Sequence, residues 1–275
     1  GSLIRGALAQ RRKTTPGMPP PSPFFSLEGG MGELIDTLAE SIRKQGGNII
    51  VGAPITSLAP PSERSSGRWT VRFAMPNQAE ESLPVDGVVM TTQAHVAADM
   101  CGRFDVELGD MLRTIPYLST ATVVLAYLRS AVPHALDAVG IIIPKEERRR
   151  ILAATFISSK WKNRAPDDMV LMRVFVGGHR DPSRLRSTDD ELVTVGREEL
   201  ARLIGVRAEP LFSRVFRYEQ ANAQPVVGHA EQVQRIRQRA ERHAGLWFAG
   251  AAFEGVGIPD CVRQANDAAA LVLRS

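Results

Sequence analysis

Close to the C-terminus, Leu246 to Ala249 form a short apolar run. The small-residue stretch Gly250–Gly257 follows, and then Ile258-Pro259-Asp260. Proline is favoured at the start of a helix, so the order reads as a buried strand, a glycine-rich turn and a helix N-terminus. No other segment constrains the fold as much. A strand that feeds directly into a helix belongs to an α/β unit, and its turn gathers backbone N–H groups at the positive end of a helix dipole. Gly250 and Gly257 permit backbone with φ > 0 and close approach of a ligand. Taken alone, the stretch serves equally as a plain helix entry or as one wall of a site for a negatively charged group.

The other segments supply partners for that unit. Met31, Leu34, Ile35, Leu38 and Ile42 recur at helical spacing, and Gly46-Gly47 ends the helix. Leu3 to Arg12 reads as a short helix, and TTPGMPPPSP then breaks regular structure. NIIVG, RWTVRFA and VDGVVMTT read as strands. In the middle of the chain YLSTATVVLAYL, VGIIIP, ILAATFIS, MVLMRVFVGG and LFSRVFRY are β-branched or aromatic runs between turns. Helices are expected over Thr188–Ile204, over Ala230–His243 and from Pro259 to about Leu273. The expected class is therefore α/β (α+β). Residues 27–98 and 244–275 make a discontinuous α/β domain, residues 99–243 an inserted domain with a mixed sheet, and residues 1–26 a helix remnant with a proline-rich linker. Gly1-Ser2 reads as the scar of a cleaved tag.

Several function classes are excluded at this level. Lys and Arg exceed Asp and Glu by only 34 to 30, a net charge of +4, and the basic residues are scattered without interleaved aromatics. No nucleic-acid partner is expected from that pattern. The five histidines never occur at metal-ligand spacing, so no metal is expected. There is no G-x-S-x-G, neither cysteine has a local signature, and no catalytic side chain stands out. Cys101 and Cys261 lie far apart, as suits a reducing compartment, and a cytoplasmic location is expected. No apolar run approaches the roughly 20 residues of a membrane span. The dinucleotide fingerprint G-x-G-x-x-G is absent: GGMGEL, from Gly29, lacks the third glycine and a preceding strand.

Five segments, in order, resemble the flavin-dependent protoporphyrinogen and coproporphyrinogen oxidases of the amine-oxidase-like flavoprotein group. They are LIRGALAQRR with FFSLEGGMGELIDTLAESI; VVMTTQAHVAADM; YLSTATVVLAY with VGIIIP; VLMRVFVGG with QPVVGHAEQV; and LWFAGAAFEGVGIPDCV. The resemblance implies FAD as cofactor, lined by Gly250, Ala251, Val256, Gly257 and Ile258, with Ile55 at the adenine end. It implies that Val139, Gly140, Ile142 and Phe175 form apolar walls around a porphyrinogen. It also implies oxidation to the porphyrin in successive two-electron steps with oxygen as acceptor, a step of haem synthesis. Substrate carboxylates call for an arginine, and Arg113, Arg129, Arg148 and Arg173 stand equal at this level.

The chain also departs from that family. The N-terminal FAD fingerprint is missing, so the sequence reads as a C-terminal portion, inactive alone, whose FAD site is incomplete or completed by a separate FAD-binding chain. Gln93 stands where proline is usual, Ala223 and Pro225 flank Gln224 in place of proline and an aromatic, and Gln264-Ala265-Asn266 replaces Ser-Gly. A non-catalytic tetrapyrrole-binding module and another flavin amine oxidase or desaturase are the alternatives. Peripheral membrane contact of the full-length protein stays open, because the family includes both membrane-associated and soluble forms.

Overall fold

A computed structural model describes residues 25–62 and 65–273. The chain divides into two units, one formed by the stretch up to Ile49 with Trp161–Asn163, the other by Ile50–Lys160 with Arg164–Ser275. In the first unit α1 spans Met31–Lys44, and Met31, Ile35, Leu38 and Ile42 are exposed. The helix expected over Leu3–Arg12 lies outside the described residues.

In the second unit the strands β1 (Ile55–Ala59), β2 (Trp69–Ala74) and β3 (Glu80–Val85) come first, followed by β4 (Val88–Met90). Helices α2 (Ala94–Cys101) and α3 (Val106–Arg113) lead into β5 (Tyr117–Leu128). Strands β6 (Gly140–Ile142), β7 (Ala153–Phe156) and β8 (Met169–Gly177) precede α4 (Asp189–Ile204) and β9 (Phe212–Ala223). Helix α5 (His229–Ala240), β10 (Leu246–Phe248) and α6 (Ile258–Val272) close the chain. Three sheets result: antiparallel β1-β2-β3, the parallel pair β10-β4, and the antiparallel β6-β7-β8-β5-β9.

Two apolar clusters underlie these sheets. Behind the five-stranded sheet, Val123, Leu125, Met172 and Val174 pack against Leu192, Val195 and Leu200 of α4. Gly196 lets the helix approach closely, since a Cβ there would meet Leu125 Cδ1 at 3.3 Å. A complete capping box starts α4: the Glu191 amide donates to the Thr188 hydroxyl, and Glu191 accepts from the Thr188 amide. The second cluster joins Trp69, Met90, Ala94, Cys101, Leu112, Ile236, Leu246 and Phe248. There the Trp69 indole donates to the Ala244 carbonyl at 2.7 Å, tying the three-stranded sheet to the chain entering β10.

Three expectations need correction. NIIVG is not a strand: Ile50 and Val51 are 56% and 77% exposed and pair with nothing among the described residues. The polar stretch between RWTVRFA and VDGVVMTT, where no strand is expected, holds most of the strand Glu80–Val85. That strand carries no apolar alternation, because its backbone pairing with β2 holds it while nearly all its side chains stay exposed. The third concerns Gly257, where φ is an ordinary −74°; the left-handed positions in that turn are Gly250, at φ 127°, and Gly255, at φ 120°.

Candidate functional site

The parallel pair β4 and β10 sets up the first part of the site. The Ala249 amide donates to the Met90 carbonyl at 3.1 Å, so both chains leave the sheet side by side at their carboxyl ends. In open α/β sheets that edge is where ligands bind. From β10 the chain makes the turn Ala249–Gly257. Gly250 sits at φ 127°, with only the Thr91 carbonyl near a built Cβ, at 3.7 Å. At Gly255 a Cβ would overlap Asp260 Oδ2 at 2.6 Å, so both conformation and space demand glycine.

Side chains brace this turn from three sides. Glu254 accepts from Arg263 at 2.7 Å and pairs with Arg237, and it is held below the usual carboxylate range chiefly by the Arg263 hydrogen bond. His229 contacts the Phe253 carbonyl through Nε2 at 3.2 Å. Gln264 accepts from the Gly250 amide at 3.2 Å, while its own amide nitrogen is buried without a partner among the described residues. Gln264 is one of the departures noted in the sequence, and its bracing role was missed there. The only signal was its position two turns into the helix that follows the turn.

The turn presents a mixed surface. Val256 and Ile258 are 65% and 50% exposed, Ala251 is exposed, and Gly250 and Gly257 are half-buried. Gly257 caps α6 without a side-chain acceptor, and the amides of Ile258 and Asp260 have no partner among the described residues. Apolar side chains beside free N–H groups suit a flat heteroaromatic ring whose edge carries carbonyl or anionic oxygens. Ile55 is elsewhere, opening β1 opposite Phe73, and is half-exposed.

The second part is the open face of the five-stranded sheet. Directly paired residues share a face, so Ile142, Ala153, Phe175, Thr122 and Phe216 form one row across the five strands. Gly140, Thr155, Arg173, Val124 and Arg214 form the next. Phe175 is half-buried, Ile142 is 83% exposed and Phe216 40%. Val139 is exposed just before β6, and its carbonyl accepts from the Phe156 amide at 3.0 Å. At Gly140 a Cβ would lie 2.3 Å from the Ala154 carbonyl oxygen, so only glycine lets β6 join the sheet. Val139, Gly140, Ile142 and Phe175 thus lie together, and Phe216 joins them as a residue the sequence reading had not singled out.

The four arginines separate. Arg113 is paired with Asp99 at 3.1 Å and Asp110 at 3.2 Å. Arg129 donates to the Val132 and His134 carbonyls at 2.8 and 3.1 Å. Arg148 occupies a left-handed turn position at φ 47°. Only Arg173 stands on the open face. One hydrogen bond links the two parts: the Ala94 amide, at the start of α2 beyond β4, donates to the Tyr117 hydroxyl at 2.7 Å, and Tyr117 begins β5.

The carboxyl ends of a parallel pair, followed by a glycine turn and a helix N-terminus and tied through Ala94 and Tyr117 to an antiparallel sheet, define a nucleotide-cofactor protein of the α/β class. The chain belongs to the family described as flavin containing amine oxidoreductase, whose profile matches residues 1–273. Among curated proteins, coproporphyrinogen III oxidase of Staphylococcus aureus is 29% identical over 99% of this chain and 58% of its own length. The enzyme of the same name from Propionibacterium freudenreichii is 32% identical over 91% of this chain and 45% of its own. A crystal structure from Exiguobacterium, provisionally named a protoporphyrinogen oxidase, superimposes with a TM-score of 0.78 at 26% identity, covering 94% of this chain and 54% of that one. The chain therefore spans about half the length of the relatives it matches. No helix among the described residues is long and apolar enough to cross a membrane.

Proposed function

We propose that this chain carries the ring-facing wall of an FAD site and the substrate sheet of an enzyme that oxidises protoporphyrinogen IX or coproporphyrinogen III to the porphyrin. The observation that carries the reading is the open row Ile142, Ala153, Phe175, Thr122 and Phe216. Apart from the buried Thr122 it is an aliphatic and aromatic floor of the kind that holds an apolar macrocycle. The names of the relatives support the substrate class.

In this reading Gly250, Ala251, Val256, Gly257 and Ile258 line the flavin ring, and Ile55 lies towards the adenine. Unpartnered amides and an exposed apolar pair fit the ring. The glycine fingerprint that a pyrophosphate needs is absent from the sequence. FAD, when bound, would take up the two-electron equivalents of each oxidation step and pass them to oxygen. The protein's own part is to press Val256 and Ile258 against the ring, hold the turn through Glu254 and Gln264, and exclude water with the floor of the substrate sheet. Val139, Gly140, Ile142 and Phe175 are its substrate walls, on a domain of residues 99–243 inserted between 27–98 and 244–275. The adenine half of the site would come from the preceding part of a longer protein or from a separate chain. We place the protein in the cytoplasm, with peripheral membrane contact left to the full-length form.

The test is a fusion of this chain behind the FAD-fingerprint segment of the Staphylococcus aureus relative. The fusion is expected to be yellow and to generate porphyrin fluorescence from porphyrinogen with oxygen uptake, whereas the 275-residue chain alone does neither. A flavin-loaded fusion that binds porphyrin without turnover would instead establish a binding module.

A further inference from the structure

The open sheet face carries two cations inside an otherwise apolar surface. Arg173 on β8 and Arg214 on β9 both pair with Val124 of β5, the strand between them, one on each side. They are therefore two strand spacings apart, about 9–10 Å at the backbone. Both are exposed, and neither forms an ion pair among the described residues. Their neighbours on the same face are Leu171 and Phe175 along β8 and Phe212 and Phe216 along β9. The Arg214 guanidinium lies over the Phe216 ring, 5.3 Å from its centroid, which orients the side chain without neutralising it.

The unpaired state of these two arginines is notable, since most of their counterparts in the same domain are partnered. Arg149 and Arg150 are tied to Glu199, Arg184 to Asp181, Arg197 to Glu209 and Arg217 to Asp189. A long cationic side chain rising from an apolar floor with no carboxylate beside it has strong unmet capacity for bidentate carboxylate binding.

Position along β5 gives the pair a direction. The strand starts at Tyr117, bonded to the crevice end of the unit, and reaches the Thr122 row before the Val124 row. The arginine row is thus one side-chain repeat, about 6.7 Å, farther from the crevice than the Phe175–Phe216 row. Resting on the reading of this sheet as the macrocycle surface, the geometry points to Arg173 and Arg214 as the residues that hold two carboxylate arms of the substrate. The rings lie over Phe175, Thr122 and Phe216, and the arms point away from the flavin. These side chains set orientation and are positioning and specificity residues. They select a macrocycle with anionic arms on two neighbouring rings over a neutral one.

The experiment titrates coproporphyrin III and its tetramethyl ester, at fixed co-solvent, into the wild-type chain and into Arg173→Met, Arg214→Met, Arg173→Lys and Arg214→Lys, reading porphyrin fluorescence. Each methionine variant is expected to weaken the free acid about tenfold or more and to leave the ester unchanged. Each lysine variant should recover part of the loss, because charge remains while the bidentate fork is gone. Unchanged far-ultraviolet circular dichroism and melting temperature keep a folding defect from imitating the result. Equal binding of the acid by wild type and both methionine variants overturns the arginine assignment and leaves the macrocycle surface standing. Absence of saturable binding of either porphyrin to the wild-type chain overturns both.

Discussion

Replacing Asp105 by asparagine removes one charge from a densely bonded polar cluster. Its side chain is 3% exposed and accepts from Arg239 Nε at 2.7 Å, from the second Arg239 nitrogen at 2.9 Å and from the Leu108 amide at 3.0 Å, with His243 Nε2 at 2.7 Å. Asparagine still caps α3, so the substitution isolates the charge from the cap. Breaking a buried, hydrogen-bonded pair from one side costs about 3–5 kcal/mol. We take the lower end, about 3 kcal/mol, because an asparagine oxygen keeps part of the hydrogen bonding. For a chain of this size that corresponds to a melting temperature lower by roughly 6–12 °C. Asp105→Ala also loses the cap, adding about 1 kcal/mol. Urea unfolding at equilibrium, followed by circular dichroism, gives the numbers. The double variant Asp105→Asn with Arg239→Met should cost less than the sum of the two single changes. The pH dependence has a definite sign. Hydrogen bonding from Arg239, helped by His243 and the Leu108 amide and opposed by burial, holds the Asp105 carboxyl well below its usual range. A depressed carboxylate contributes stability above its unfolded pKa of about 3.9, and that contribution is lost as pH falls through the folded value. Wild type should therefore lose stability below about pH 4 more steeply than Asp105→Asn. An Asp105→Asn variant within about 0.5 kcal/mol of wild type at neutral pH, the range of ordinary surface changes, refutes the reasoning.

Two further outcomes follow from local geometry. Glu254→Gln should speed amide hydrogen exchange across residues 249–257 at neutral pH. In the wild type the same loosening should appear only as pH falls below the usual carboxylate range, because Arg263 and Arg237 hold the Glu254 carboxyl down. Burial, reinforced by Asp105, pushes the Cys101 thiol up to about 12, and the side chain is fully buried beside Met90. A thiol reagent at pH 8 should therefore count one reactive cysteine in the native chain, the partly exposed Cys261, and two after unfolding in urea.

The long strands of the five-stranded sheet were legible because β5 and β8 bury one face completely and are rich in β-branched residues, so pattern and propensity agree. The helix after the glycine turn was legible from Pro259 for the same reason of local chemistry. What local reasoning cannot reach is pairing across the chain. Nothing near Asp105 announces Arg239 and His243, which lie 134 and 138 residues away. Nor does the sequence around Arg113 or Arg129 distinguish a paired arginine from the unpaired Arg173. β3 was missed because a strand held by backbone bonds, with most side chains in water, leaves no hydrophobic signature. NIIVG erred in the opposite direction, since a β-branched run becomes a strand only where a neighbour completes its hydrogen bonds. In the turn, sequence alone could not decide whether Gly255 or Gly257 joins Gly250 in the left-handed region. Asp260 decides it, by occupying the space where a Gly255 Cβ would sit.

The crevice and the sheet are joined by β5 itself. Tyr117 is half-buried with its hydroxyl on the Ala94 amide, so the first residue of the strand is fixed to the helix that follows β4. From there β5 pairs on both sides without interruption from Thr120 to Ala126, with a bulge only between Leu118 and Thr120. A strand paired on both edges and packed against α4 on one face has little freedom to bend. The distance from the β4 end to the Thr122 and Val124 rows is therefore set by counting residues along one rigid strand, not by a flexible linker. On the proposed reading, a macrocycle gripped at the Val124 row would be held at a fixed reach from the glycine turn, and the length of β5 would set its placement at a flavin ring.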